Sequence, residues 1–243
     1  MTTFFVADLH LHESRPHVTQ SFYHFLQEQV SGAEALYILG DFFDVWIGDD
    51  DDAPLGDEVA RQLRALSDRG TALFLMHGNR DFLLGHAFAK RAGAQLIAEG
   101  TVINLYNCPT LLMHGDDLCT ADMQYQAFRQ QVRAPEWQAT LLAQPLPARR
   151  ALAAQIRAES QSMNALKAED IMDVDEEEVV RVMRNAGVTR LIHGHTHRPA
   201  RHSMAIDGTL AERIVLGDWH ELGWCIKADA DKLNLLSWKL APV

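Results

Sequence analysis

Residues 35–44 read ALYILGDFFD, a short apolar run that ends directly in glycine and aspartate. A run of this length, closed by a turn residue, is typical of a buried strand and too short for a helix. The same pattern recurs along the chain, so the sequence predicts several buried strands. They are Thr3–Ala7, Ala35–Leu39, Ala72–Met76, Thr110–Met113, Arg190–Ile192 and Arg213–Leu216.

Segments with a helical period lie between several of these strands. Strands that alternate with helices indicate a layered α/β architecture. At the end of the chain, Trp224–Trp238 predicts a β-hairpin with its turn at residues 229–232. The predicted helices are Val18–Val30, Asp57–Arg69, Phe82–Arg91 and Asp175–Ala186.

Residues 121–170 break the alternation, because they contain helical pattern and no strand-like run. Pro135, Pro145 and Pro147 interrupt the pattern and should separate two or three helices. We therefore expect a helical cap at residues 121–170, inserted in a core formed by residues 1–120 and 171–243. The acidic run Asp49–Asp52 is interpreted as a solvated loop.

Composition excludes several classes of protein. The chain has 243 residues, 47% of them hydrophobic, and a formal net charge of −11. A negative protein is a poor partner for nucleic acid, because that binding depends on basic side chains that release counterions. Three widely spaced cysteines offer no disulfide framework, which favours a reducing cytoplasm. No stretch approaches the roughly 18 apolar residues of a membrane span, and we predict no protein partner.

Five of the predicted strands are followed directly by side chains that bind metal ions. Ligands collect at the carboxyl ends of strands in α/β sheets, so these five loops should converge. In Asp8-x-His10 and in His195-x-His197, the spacing of two residues places both side chains on one side of an extended backbone. The predicted metal ligands are Asp8, His10, Asp41, Asn79, His114, His195 and His197.

This ligand set indicates two metal ions. Mixed carboxylate, imidazole and amide ligands without thiolate suit Mn²⁺, Fe²⁺ or Zn²⁺. Seven ligands are too many for one ion, whereas two ions that share a carboxylate form a common device for phosphoryl displacement. A single motif such as Asp8-x-His10 or Gly40-Asp41 is more often part of a turn or a helix cap. Their combination at successive strand ends supports the hypothesis.

The ordered set resembles the calcineurin-like metallophosphoesterase superfamily, whose pattern is D-x-H, G-D, G-N-H-[DE], H and G-H-x-H. The match extends from Asp8 to His197. The resemblance implies a layered β-sandwich flanked by helices, with Asp41 as the bridging ligand. The ligand sets that it implies are Asp8, His10, Asp41 and His197 for one ion, and Asp41, Asn79, His114 and His195 for the other.

The sequence departs from the superfamily pattern at Arg80, where histidine is usual. Arginine cannot donate a proton at neutral pH, but it holds phosphate oxygens through two hydrogen bonds. We therefore expect Arg80 to anchor phosphate, and the leaving group to depart unprotonated, as a phosphate does from a pyrophosphate. The expected catalytic residues are Arg80, His195 and Asn79.

Arg80, with Phe42–Gly48 and Gly217–Trp219, resembles one subgroup, the UDP-2,3-diacylglucosamine hydrolases of bacterial lipid A synthesis. The resemblance implies hydrolysis of the pyrophosphate bond to UMP and 2,3-diacylglucosamine 1-phosphate, with Mn²⁺ as the expected metal. We further expect a hydroxide activated by both ions as nucleophile, and peripheral attachment at the cytoplasmic side of the inner membrane. Alternatives are a soluble nucleotide pyrophosphatase or phosphodiesterase on the same site, and an inactive scaffold.

One helix over residues 148–170 would place cations and hydrogen-bonding side chains on one face, at about 100° per residue. An apolar stripe of Leu152, Ile156, Met163 and Leu166 lies beside that face. An ordinary amphipathic helix has the same pattern, but the resemblance favours a face for substrate. It implies substrate contacts at Asn79, Arg80, Asp122, Ser160, Asn164, Lys167 and His195, and the helical spacing adds Arg157.

Overall fold

In the computed structural model, the apolar run Ala35–Leu39 is a strand inside a six-stranded sheet, and a second sheet of five strands packs against it. The structure describes residues 1–164 and 173–240, without the side chains of residues 161–164. The strands are β1 (Thr3–Val6), β2 (Ala35–Leu39), β3 (Ala72–Met76), β4 (Gln95–Leu96), β5 (Thr101–Leu105), β6 (Cys108–Leu112), β7 (Arg190–His193), β8 (Ala200–Ile206), β9 (Thr209–Val215), β10 (Leu222–Ala228) and β11 (Leu233–Lys239). The helices are α1 (Pro16–Phe25), α2 (Pro54–Ser67), α3 (His86–Ala92), α4 (Met123–Val132), α5 (Pro135–Leu142), α6 (Leu146–Asn164) and α7 (Glu176–Ala186).

Parallel strands occupy the centre of both sheets. The first sheet has the order β11-β10-β1-β2-β3-β4, in which β1 to β4 are parallel and β10 and β11 form an antiparallel hairpin. The second has the order β5-β6-β7-β9-β8, in which β6, β7 and β9 are parallel. The carboxyl ends of these parallel strands carry the loops of the predicted site.

The side chains of β1 show how the layers are built. Phe4 and Val6 pack with helices α1, α2 and α3, whereas Phe5 belongs to the core between the two sheets. This alternation is what a strand buried on both faces requires. Helix α7 covers the outer face of the second sheet through Val179 and Met183. The predicted β-sandwich flanked by helices is therefore confirmed.

All the predicted strands are present, with ends that differ by at most four residues, and the predicted hairpin is formed by β10 and β11. The strands that the sequence did not predict, β4, β5 and β8, lie at sheet edges. β5 alternates between partly buried and exposed residues up to the buried Leu105, and β8 is mostly exposed, so neither contains a continuous apolar run. An edge strand can have only one buried face. Its sequence then lacks the continuous apolar run from which the other strands were predicted.

Some helices begin or end at residues other than the predicted ones. The predicted helix at Phe82–Arg91 begins only at His86, because the chain first makes a turn in which the Leu84 N–H donates to the Asp81 carbonyl at 2.9 Å. Helix α1 ends at Phe25 and continues as a wider π-helical turn over Leu26–Val30. The predicted proline breaks agree with three helices, α4, α5 and α6, in the described part of residues 121–170. The boundaries of an inserted cap stay a prediction.

The acidic run Asp49–Asp52 is solvated in part, since the side chains of Asp50 and Asp52 are 63% and 74% exposed, but its carboxylates also have partners that the sequence did not indicate. Asp49 accepts a hydrogen bond at 2.8 Å from the Gly85 N–H at the start of helix α3. The other three carboxylates form ion pairs with Arg149 and Arg150 of helix α6. Two arginines about a hundred residues away in sequence thus offset part of the charge of the run and connect helix α6 to the core.

Candidate metal centre

The predicted metal ligands converge at one end of the two sheets, and five of the seven have a left-handed backbone with φ between 48° and 67°. This conformation costs a residue with a Cβ roughly 1–2 kcal/mol, so it persists where the surrounding structure requires it. Hydrogen bonds between loops hold it here: the Asp8 N–H donates to the Gly40 carbonyl at 3.1 Å, and the His10 N–H to the Asp41 carbonyl at 3.0 Å. The five residues are Asp8, His10, Asp41, His195 and His197.

Two glycines of the motifs allow close approach between these loops. A Cβ at Gly78 would lie 2.1 Å from Oδ1 of Asp41, and a Cβ at Gly194 would lie 2.3 Å from Oδ2 of Asp8. Any side chain at either position would displace a ligand carboxylate.

One group of ligands consists of Asp8, His10 and His197. Nε2 of His10 lies 3.2 Å from Nε2 of His197, and the latter atom lies 3.4 Å from Oδ1 of Asp8. Oδ2 of Asp8 accepts a hydrogen bond at 2.9 Å from the N–H of His195, which holds the carboxylate in place. These side chains come from the ends of β1 and β7, so the two sheets together build the group.

A second group surrounds the amide of Asn79. Its Oδ1 lies 2.9 Å from Nε2 of His114 and 2.9 Å from Nδ1 of His195. On the other side of the imidazole, Nδ1 of His114 donates to the Leu39 carbonyl at 2.9 Å. That bond orients the imidazole so that Nε2 of His114 is directed into the site, where it could bind a metal ion in place of its proton.

Asp41 lies between the two groups. Its Oδ1 is 3.6 Å from Nε2 of His114, and its Oδ2 is 3.8 Å from Nδ1 of His10. Each oxygen of one carboxylate thus faces a different histidine. Burial raises the pKa of Asp41 to about 6, against the opposing charges of His114 and Arg80. A carboxylate in this position can serve two cations at once, as the resemblance implies.

The electrostatic field at the site favours cations. Burial lowers the pKa of His114, but the charges of Asp41 and Asp8 outweigh it and raise the pKa to about 9. His195 is also buried, and burial with the charge of His114 lowers its pKa to about 4. The raised pKa of His114 indicates that the surrounding carboxylates make the site electrically negative. Bound cations would neutralise this negative charge.

Two buried atoms of the site have no hydrogen-bond partner among the described residues, Oδ1 of Asp8 and Nδ1 of His10. An unpaired buried polar atom is costly, so such atoms are normally satisfied. Both atoms belong to predicted metal ligands, and each lies near another one: Oδ1 of Asp8 is 3.4 Å from Nε2 of His197, and Nδ1 of His10 is 3.8 Å from Oδ2 of Asp41. The donor types, the field and these atoms fit a site for two divalent cations.

A cavity of about 680 Å³ begins at this centre. One end is polar and includes Asp41, Asn79 and His195. Large apolar side chains from the core and from helices α4, α5 and α6 form much of the remaining wall. They include Trp46, Phe82, Leu83, Phe128, Trp137, Leu141, Leu152 and Ile156.

The predicted substrate residues are distributed around the same cavity. Arg80, Asp122, Arg157 and Ser160 line it. Asp122 is also the N-cap of helix α4, since its Oδ1 accepts a hydrogen bond from a backbone N–H in the first turn at 3.1 Å. The side chain of Asn164, and Lys167 altogether, lie outside the described residues. Contact of these residues with substrate stays a prediction.

Two buried carboxylates support the site and were not predicted from the sequence. Asp81 accepts hydrogen bonds from the N–H groups of Gly78 and Phe42, both at 2.7 Å, and so joins two ligand loops. Asp116 accepts the hydroxyl of Tyr125 at 2.5 Å, which connects helix α4 to the loop of a metal ligand. The signal for both was their position in the sequence: Asp81 directly follows Arg80, at the acidic position of the G-N-H-[DE] pattern, and Asp116 lies two residues after His114.

The sequence model of the family described as calcineurin-like phosphoesterase matches residues 1–199. The chain belongs to the calcineurin-like phosphoesterase family. The resemblance inferred from the strand-end motifs is therefore confirmed. Members of this family hold two metal ions, and the ligand groups described above are candidates for such a site in this chain.

Three similar proteins carry the name UDP-2,3-diacylglucosamine hydrolase. The protein from Cellvibrio japonicus is 66% identical over 240 residues, which cover 99% of this chain and 100% of that protein. The protein from Marinobacter nauticus is 53% identical, covering 96% of this chain and 95% of its own. The protein from Pseudomonas aeruginosa is 52% identical, covering 95% and 96%. This similarity includes the segment of helices α4 to α6 as well as the metal centre.

Proposed function

We propose that the chain hydrolyses the pyrophosphate bond of UDP-2,3-diacylglucosamine to UMP and 2,3-diacylglucosamine 1-phosphate. One observation carries the proposal: a single cavity joins the two-cation centre to a long apolar wall. A nucleotide sugar with two acyl chains needs both environments at once. The names of the relatives describe the same activity for those proteins.

The residues of the polar end have separate tasks. When bound, the two ions activate the attacking water and neutralise charge on the phosphoryl oxygens. Arg80, held by a hydrogen bond of 2.8 Å from its N–H to Oδ1 of Asp41, presents a permanent positive charge to the phosphate. Because Arg80 donates no proton at neutral pH, the phosphate leaving group departs as an anion.

Asn79 and His195 complete the polar end. Oδ1 of Asn79 lies 2.9 Å from an imidazole nitrogen of His114 and of His195, so these three side chains could hold a cation together. The lowered pKa of His195, about 4, keeps its imidazole neutral near pH 7, as a ligand must be. The same ring lines the cavity, where it can contact the phosphate.

The apolar wall is the proposed site of the acyl chains. Burial of each methylene contributes about 0.8 kcal/mol, so a groove lined by aromatic and leucine side chains distinguishes an acylated sugar from a water-soluble nucleotide. Leu152 and Ile156 of helix α6 contribute to this wall. Arg157 directly follows Ile156, and Ser160 lies one turn further along the same helix.

We propose Mn²⁺ as the metal, because mixed nitrogen and oxygen ligands without thiolate suit it. None of the described helices combines the length and the apolar composition needed to cross a membrane. Since the lipid substrate resides in a bilayer, we propose peripheral attachment at the cytoplasmic side of the inner membrane. Nucleic acid and protein partners are not part of this proposal.

Release of UMP from UDP-2,3-diacylglucosamine tests the activity. We expect release with Mn²⁺ and none with chelator, and a loss of about 100-fold in Asn79→Ala, which removes a ligand. In ¹⁸O-labelled water, the label should enter UMP. Label in the sugar phosphate would move the attack to the other phosphorus. Release that persists in chelator would contradict the two-cation mechanism.

A second experiment separates the lipid substrate from soluble nucleotides. Leu152→Ser should lower kcat/KM for the diacylated substrate by about tenfold, from the lost burial of one leucine. A water-soluble phosphodiester should be hydrolysed as before. Leu210→Ser, at a leucine that is 77% exposed, is the matched control. Equal losses for both substrates would favour a soluble nucleotide pyrophosphatase or phosphodiesterase.

A further inference from the structure

Asp44 lies at the polar end of the cavity and is neither a metal ligand nor a predicted substrate contact. Its backbone is fixed, because its N–H donates to the Leu11 carbonyl at 3.1 Å and the preceding Phe43 forms a bridge with Leu11. Leu11 directly follows the ligand loop of Asp8 and His10. The position of the Asp44 carboxylate is therefore tied to the metal centre.

Two arginines from different parts of the chain donate to the same oxygen of Asp44. Nη1 of Arg80 reaches Oδ1 of Asp44 from the loop after β3. Nη2 of Arg157 reaches Oδ1 from helix α6 at 2.8 Å. Both guanidinium groups line the cavity and are largely shielded from solvent, with side-chain exposures of 22% and 28%.

Two guanidinium groups that donate to the same carboxylate oxygen repel each other, and the repulsion grows as they are withdrawn from water. Burial and the charge of Arg80 lower the pKa of Arg157, and the charge of Asp44 opposes that shift. Arg80 also lies 3.4 Å from the carboxylate of Asp41, whereas the oxygen that Arg80 and Arg157 share belongs to Asp44. Asp44 therefore supplies the shared anion on a fixed backbone.

We propose that Asp44 is a positioning residue that holds Arg80 and Arg157 together as one cationic clamp for a phosphate group of the substrate. The inference rests on the proposed function, since the clamp faces the cavity assigned to the nucleotide sugar. Arg80 comes from the core and Arg157 from helix α6, so the clamp also connects the helical segment to the reacting end of the substrate. Preorganised charge of this kind lowers the cost of binding, because the side chains are ordered before the substrate arrives.

A competing role for Asp44 predicts a change in KM of the opposite sign. If the Asp44 carboxylate merely occupied the phosphate position, its removal would free two arginines and lower KM. If Asp44 only stabilised the fold, its removal would change the melting temperature and leave KM unchanged. The direction of the change in KM therefore distinguishes the three roles.

The experiment compares Asp44→Asn and Asp44→Glu in steady-state assays of UMP release. We expect KM to rise about tenfold in Asp44→Asn, the loss of one charged hydrogen-bond partner at a half-buried site, with kcat within about threefold of wild type. Asp44→Glu, which keeps the charge, should restore most of the affinity. The matched control is Glu212→Gln, since Glu212 also pairs with two arginines, Arg190 and Arg201, away from the cavity.

Calorimetric binding of 2,3-diacylglucosamine 1-phosphate adds a readout that needs no turnover. Asp44→Asn should bind this product about tenfold more weakly than wild type, and the same change should have little further effect in Arg157→Gln. A KM for Asp44→Asn equal to or below that of wild type overturns the inference. If the wild-type chain neither releases UMP nor binds the product, the proposed function itself is wrong, which is a distinct outcome.

Discussion

Arg149→Met tests the contact by which helix α6 is connected to the core. The side chain of Arg149 is 3% exposed, and its Nη1 donates to the Ile47 carbonyl and to Oδ1 of Asp50, both at 2.7 Å. Asp50 is 63% exposed, so its ion pair contributes little. The buried carbonyl of Ile47 loses its donor, and an unsatisfied buried acceptor costs about 1–3 kcal/mol.

With about 2 kcal/mol lost, the melting temperature should fall by about 4–8 °C for a chain of this size. Arg150→Met is the control, because Arg150 is 45% exposed and one of its partners, Asp52, is 74% exposed. It should change the melting temperature by less than about 1 °C. Calorimetry measures both values. Equal melting temperatures for the two variants would refute the contribution of the buried contact.

Three further predictions concern the site. Gly78→Ala places a methyl group 2.1 Å from Asp41. The affinity for Mn²⁺, measured by titration calorimetry, should therefore fall at least about tenfold. An unchanged affinity would contradict this close packing. Mn²⁺ at 100 times its Kd should stabilise the fold by about 2.7 kcal/mol and raise the melting temperature by about 5–10 °C, whereas no rise would argue against a preformed site. Tyr125→Phe removes the hydrogen bond to Asp116 and should lower the melting temperature by about 2–4 °C in a thermal scan, with a rise as the opposing result.

The sequence predicted the centre of the molecule better than its edges. Strands β1, β2 and β3 are buried on both faces, so their apolar runs are continuous and each ends at a ligand. Because parallel strands end on the same side, the order of the motifs alone was enough to bring the ligands of these strands together. β5 and β8 pair on one side only and carry exposed residues, and their sequences lack that signal.

Contacts between distant segments could not be predicted. The run Asp49–Asp52 resembles a solvated loop, because its partners Arg149 and Arg150 are about a hundred residues away in sequence. Asp44 belongs to a quoted motif, but its link to Arg157 depends on where helix α6 docks. Local patterns report which residues are buried or bind metals, whereas ion pairs of this kind depend on the completed tertiary structure.

The central claim is that five strand ends bring seven side chains into one centre for two ions. Anomalous X-ray scattering from crystals grown with Mn²⁺ tests it most directly. We predict two peaks, one beside His10 and His197 and one beside Asn79, His114 and His195, with Asp41 between them. A single peak, or two peaks that do not share Asp41, would contradict it.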